Sequence, residues 1–138
     1  QKAIEEISRV LKTGGTASIS VYYKNIFLRN WKFLRFFAQL FFKLGFNFSG
    51  RGRETMYQNE DVNEIVRLYD GKDNPIGKSY TQKEFIDLLS PYFEIKDLFY
   101  HFFPARALPF RIPRIIHKLI EQLFPFMVYA TLVKKTND

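Results

Sequence analysis

Ala3-Ile4-Glu5-Glu6-Ile7-Ser8-Arg9-Val10-Leu11-Lys12-Thr13-Gly14-Gly15 runs directly into Thr16-Ala17-Ser18-Ile19-Ser20-Val21-Tyr22-Tyr23, and the fold is decided here. Ile4, Ile7, Val10 and Leu11 recur at helical spacing and predict one apolar helix face over residues 1–12. Gly14 and Gly15 are expected to supply the positive φ that ends a helix. Residues 16–23 then read as a strand, so the segment is helix, turn, strand. The first residue is Gln1, with no initiator Met and no N-cap before the helix, and the sequence is therefore expected to enter its fold partway through.

The 138 residues have the length of one domain and the apolar content for a core. The absence of cysteine excludes a disulfide framework, a thiolate metal site and a thiol nucleophile, and it fits a cytoplasmic location. No apolar run approaches the roughly 20 residues that span a bilayer, and Glu5, Glu6 and Arg9 break any signal-peptide pattern. The net charge of +7 is local. Lys24, Arg29, Lys32, Arg35, Lys43, Arg51 and Arg53 fall in one stretch that holds no acidic residue, and outside it 14 basic residues meet 14 acidic ones. Eight of the 16 Phe and the single Trp lie in the same stretch.

Beyond the first strand, residues 26–46 predict a long cationic amphipathic helix. Phe27, Trp31, Leu34, Phe37 or Ala38, and Phe41 form its apolar side, and Arg29, Lys32, Arg35, Gln39 and Lys43 a polar stripe. Gly45 and Ser49-Gly50-Arg51-Gly52-Arg53 close it in a loop. Residues 54–70 suit either a short helix or a strand, and we read them as an irregular or short-strand entry into the turn Asp70-Gly71-Lys72-Asp73-Asn74-Pro75. Thr81-Gln82-Lys83-Glu84 is a capping box opening a helix over 82–90 that buries Phe85, Leu88 and Leu89. A strand is expected over 93–103 with Ile95, Leu98 and Tyr100 inward. Pro113 starts a second basic amphipathic helix over 113–124, with Ile115, Ile116, Leu119, Ile120 and Leu123 against Arg111, Arg114 and Lys118. Residues 126–133 form a last strand. The order predicts the edge of a mixed α/β sheet carrying two helical insertions.

The run Ile7-Ser8-Arg9-Val10-Leu11-Lys12-Thr13-Gly14-Gly15 resembles the "RVLKPGG" signature of class I S-adenosylmethionine-dependent methyltransferases (type 11-like), with Thr13 where proline is usual. The resemblance extends over nearly the whole chain, although only this first motif is specific. It implies the C-terminal half of a Rossmann-like methyltransferase: residues 1–25 resemble the approach to strand five and that strand, and 26–53 a basic aromatic insertion or lid. Residues 54–103 resemble the last helix and strand six, 104–124 a helical insertion, and 125–138 strand seven and a tail. The strands over 93–103 and 125–134 then resemble the family's terminal antiparallel hairpin. The implied reaction moves a methyl group from S-adenosylmethionine to an O, N or C nucleophile of a small-molecule acceptor, apolar or lipid-like. The family's glycine-rich loop and ribose-binding acid are missing from these residues, so this chain alone is expected to bind no cofactor and to be inactive. A half-sheet is expected to leave an open strand edge, and such a fragment to form a homodimer through it, swap strands or aggregate.

Methyl transfer asks chiefly for alignment of the acceptor, sometimes helped by a base. Tyr23 and Asn25, at the carboxyl end of the first strand, are the first substrate-side candidates, followed by Arg51, Arg53, Tyr80 and His101. The plainer alternatives are a polar loop start for Tyr23 and Asn25 and a packed or solvated side chain for His101. For the 26–53 segment three readings stay open: a helix packed on the core, a lid over an apolar or anionic substrate, and peripheral membrane contact through 26–48 together with 113–124. Nucleic acid is the rival partner, and helical spacing of the aromatics argues against it. No cluster has metal-ligand spacing, and no serine or threonine sits in a nucleophile elbow.

Overall fold

A computed structural model describes residues 1–46, 53–71, 73–104 and 111–136, excepting the side chains of Arg53 and Glu54. Helix α1 (Lys2–Val10) leads through the glycine turn into β1 (Thr16–Tyr23). Of the two turn glycines only Gly14 takes a positive φ, at +71°. Gly15 is needed for a different reason, since a Cβ there would stand 2.7 Å from the Lys12 carbonyl oxygen. Ile4 is buried and Ile7 and Leu11 pack beside it, while Val10 points to solvent instead of joining that face.

The sheet has four strands in the order β2-β1-β4-β3, where β2 is Ser79–Tyr80, β3 Phe93–His101 and β4 Met127–Lys134. β2 runs parallel to β1, whereas β4 is antiparallel to both β1 and β3 and lies between them. The expected antiparallel pair of late strands is therefore present, and the architecture is mixed α/β. β3 stops at His101 and does not continue to residue 103, because Phe102 turns the chain with φ +70°. A register shift between Ile95 and Asp97 explains how Ile95 and Leu98, three apart, both reach the core side of a strand whose side chains otherwise alternate.

The main core lies on one sheet face. Val128, Ala130 and Leu132 of β4 are buried there against Phe85 and Leu89 of α5 (Gln82–Leu89), Phe93 and Ile4. Burying side chains such as Phe85 and Leu89 contributes roughly 1.5–3 kcal/mol each. The Thr81–Glu84 capping box forms as expected. Ser18 and Ser20 are exposed on the other face, and Phe99 stacks on Tyr129 at 4.9 Å.

A second, smaller core corrects two expectations. Residues 54–70 contain no strand; they form a 3-10 helix (Arg53–Gln58) and helix α4 (Val62–Asp70), N-capped by Asp61. Val62, Ile65, Val66 and Tyr69 keep helical spacing and pack with Leu28, Met56 and Leu68 around Tyr22 and Trp31. The predicted helix over 26–46 is broken at Asn30 into α2 (Ile26–Arg29) and α3 (Trp31–Lys43). Its phase also differs. Trp31, Leu34, Arg35, Ala38 and Gln39 are the sheltered side of α3, whereas Phe37 and Phe41 are exposed. Helix α6 (Arg114–Leu123) precedes β4. Among the described residues no helix is long and apolar enough to cross a membrane.

Candidate functional site

The carboxyl end of β1 gathers polar groups around two tyrosines. Tyr23 and Tyr80 are register partners across the β1–β2 pair, and the Lys24 amide donates to the Tyr80 carbonyl at 2.7 Å. Arg29, one turn into α2, is folded back by its Nε donating to the Lys24 carbonyl at 2.9 Å. Its guanidinium carbon stands 6.0 Å from the centre of the Tyr23 ring, at the outer limit of cation–π contact. The opposite partner of that ring is Tyr100, 4.9 Å away edge-to-face. Next to them lies an open cleft of about 410 Å³ lined by Arg29, Thr81, Gln82, Lys83 and Ile86.

Tyr100 is the polar group the sheet leaves unspent. Its hydroxyl is buried and has no hydrogen-bond partner among the described residues. Burial raises its pKa and Tyr23 adds to this, with Arg29 opposing, so at neutral pH the group is a protonated donor. The rim is cationic. Lys78 Nζ lies 5.0 Å from the centre of the Tyr80 ring. Glu84 is the neighbouring carboxylate, and its charge is committed. Its pKa is lowered first by the Thr81 backbone amide and then by the Thr81 hydroxyl, with Lys24 and Lys78 adding attraction.

The structure therefore brings Tyr23 and Tyr80 together. Asn25 is adjacent but only 2% exposed. Its Oδ1 accepts from the amides of Phe27 and Leu28, and its Nδ2 donates to the Pro125 carbonyl, so the side chain is held inside the chain as a cap and a tie. Arg51 lies outside the described residues, and Arg53 opens the 3-10 helix. His101 is not part of the cluster. It follows Tyr100 on β3 and is exposed on the other sheet face, with Nδ1 3.6 Å from Glu121 Oε1. His117 contacts the Phe103 carbonyl at 3.2 Å. Sequence reasoning missed Tyr100 and Arg29. The strand alternation Leu98–Tyr100 and the position of Arg29 one turn after a capping asparagine were the available signals. Among the described residues no group of His, Asp and Glu has the makings of a metal site. Comparison of the chain with protein-family models, curated proteins and solved structures finds no match.

Proposed function

We propose that this chain is the acceptor-binding part of a class I S-adenosylmethionine-dependent methyltransferase of Rossmann-like fold. One observation carries the reading: the strand after the glycine turn, β1, is paired antiparallel with the last strand of the chain, which is inserted between β1 and β3. The antiparallel pairing of β3 with β4 agrees with the terminal hairpin that the resemblance implies.

The residues present do not fit the cofactor itself. A ribose diol calls for a free carboxylate and the methionyl end for a glycine-rich backbone loop. At the end of β1 the two nearest acids are occupied: Glu84 in the capping box, and Asp70 by the Tyr22 hydroxyl and Asn74. The chain's own contribution is thus to the acceptor. The Tyr23 and Tyr80 rings supply an apolar surface, and Arg29 and Lys78 favour a negative group. Such groups bind and orient, which is the main requirement of methyl transfer.

The test is the sequence encoded upstream of Gln1 and the longer chain it specifies. The reading requires a strand ending in a glycine-rich loop roughly 70–90 residues upstream, at the usual spacing of βαβ units. The longer chain is expected to bind S-adenosylmethionine in calorimetry, and residues 1–138 alone to bind none. A longer chain without that loop, or one that fails to bind, overturns the reading.

A further inference from the structure

Two helices of this protein shelter some polar side chains while leaving a face of large apolar side chains exposed. On α3 the sheltered polar groups are spent on backbone: Arg35 donates to the Gln58 carbonyl and pairs with Glu60, and Gln39 donates to the Tyr57 carbonyl. The outward face is Phe33, Phe36, Phe37, Leu40, Phe41 and Leu44, with Phe33 at 70% and Phe36 at 67% exposure. Helix α6 repeats the pattern. His117 meets the Phe103 carbonyl and Glu121 accepts from the Phe102 amide, while Ile115 (77% exposed), Ile116, Leu119 and Leu123 face solvent. Phe27 of α2 packs on Phe124, just after α6, at 4.8 Å and ties the two helical segments together. On α3 the exposed rings touch one another, Phe37 meeting both Phe33 and Phe36, and monomeric soluble proteins rarely leave so many large apolar side chains in water.

The charges beside these faces indicate what covers them. At 100° per residue, Lys32 and Lys43 fall on one flank of the α3 apolar face, and Lys118 on one flank of the α6 face. Residues 26–46 contain no acid. On α6 the one acid, Glu121, is turned inward. An apolar face of phenylalanine and leucine flanked by long cationic side chains fits a bilayer interface, with the rings at acyl depth and the ammonium groups at anionic headgroups. We propose that α3 and α6 dock this protein peripherally on anionic membrane. The proposal uses no cofactor and no reaction, so it stands or falls separately from the methyltransferase reading.

Flotation of the whole chain with vesicles tests it. Binding is expected to phosphatidylcholine vesicles containing phosphatidylserine, and weaker binding to phosphatidylcholine alone. Phe33→Gln with Phe37→Gln is expected to weaken partitioning at least about tenfold, the effect of leaving two phenylalanine side chains unburied. Lys32→Gln with Lys43→Gln should weaken it about fivefold per lysine on the anionic vesicles only. These side chains face solvent, so unchanged far-UV circular dichroism is expected to confirm an intact fold. Failure to float with either vesicle overturns the proposal, as does binding that the phenylalanine pair does not alter. Retention on single-stranded RNA without vesicle binding, or a lipid-free dimer that the phenylalanine pair dissolves, overturns it in favour of another partner.

Discussion

Asn25 illustrates how one polar side chain at a strand end is used. It is the first residue after Lys24, buried, with its oxygen on two amides at the start of α2 and its nitrogen on the Pro125 carbonyl. It thereby ties together the end of β1, the helical insertion and the approach to β4. Removing it deletes a cap and leaves a buried carbonyl and two amides to find water. Asn25→Ala is expected to lower unfolding stability by about 2–3 kcal/mol, the cap and the unsatisfied groups together. The urea midpoint at constant m-value measures this; a change within about 0.5 kcal/mol, the range of a neutral surface substitution, would contradict it. The sequence offered Asn25 as a substrate contact, yet Asn25-Ile26-Phe27-Leu28 also has the form of an N-cap before a helix. Composition at a strand end does not distinguish the two. Burial does.

At the scale of elements, the capping box at the start of α5 makes a pH prediction. Glu84 is held below its ordinary pKa by the Thr81 amide, then by the Thr81 hydroxyl and by Lys24 and Lys78. A carboxylate lowered in the folded state stabilises fully above its unfolded pKa, about 4.3, and this contribution is lost as pH falls through the lower folded value. The stability difference between the wild type and Glu84→Gln is therefore expected to be constant near neutrality and to shrink on acidification below the ordinary carboxylate range. A difference that grows on acidification would contradict the assignment. This element was fully legible, because a capping box ties residue types to spacing. So were β1 and β4, and β3 up to His101, whose inward residues kept to the core side across the shift between Ile95 and Asp97. Helix α3 was only half legible. Aromatics occupy more than half of the helix circumference, so its phase is set by partners such as Glu60 and the Tyr57 carbonyl, which spacing cannot reveal. The segment 54–70 was open between a short helix and a strand, and the structure decides for helix against the irregular or short-strand reading. Val62, Ile65, Val66 and Tyr69 satisfy a helical period, but dense flanking turn residues suggested extended chain. The candidate site was legible in Tyr23 and Tyr80, and not in Tyr100, whose orphaned hydroxyl becomes visible only once β3 is paired.

At the scale of the molecule, two cores meet at the end of β1, one under Tyr23 and the other around Tyr22, whose hydroxyl reaches Asp70 of α4. Among the described residues the rest of β1 has no strand partner on one side. The Tyr23 amide donates toward β4 and the Lys24 amide toward β2, so alternation turns the amides of Thr16, Ser18 and Ser20 to the β2 side, where pairing covers only Tyr22 and Tyr23 among the described residues. A strand edge with unpaired donors and small side chains is a template for another strand. Self-association of the chain through this edge is expected, seen in sedimentation as an apparent mass that rises with concentration. Ser18→Pro deletes an edge donor without touching the β4 pairing, as proline is tolerated on an edge strand, and is expected to hold the chain at monomer mass. The exposed phenylalanines of α3 provide the control that separates the two surfaces. Phe33→Gln with Phe37→Gln leaves the edge intact and should leave the association unchanged. If that pair dissolves the oligomer and Ser18→Pro does not, the contact lies on the helices and β1 is closed by some other means.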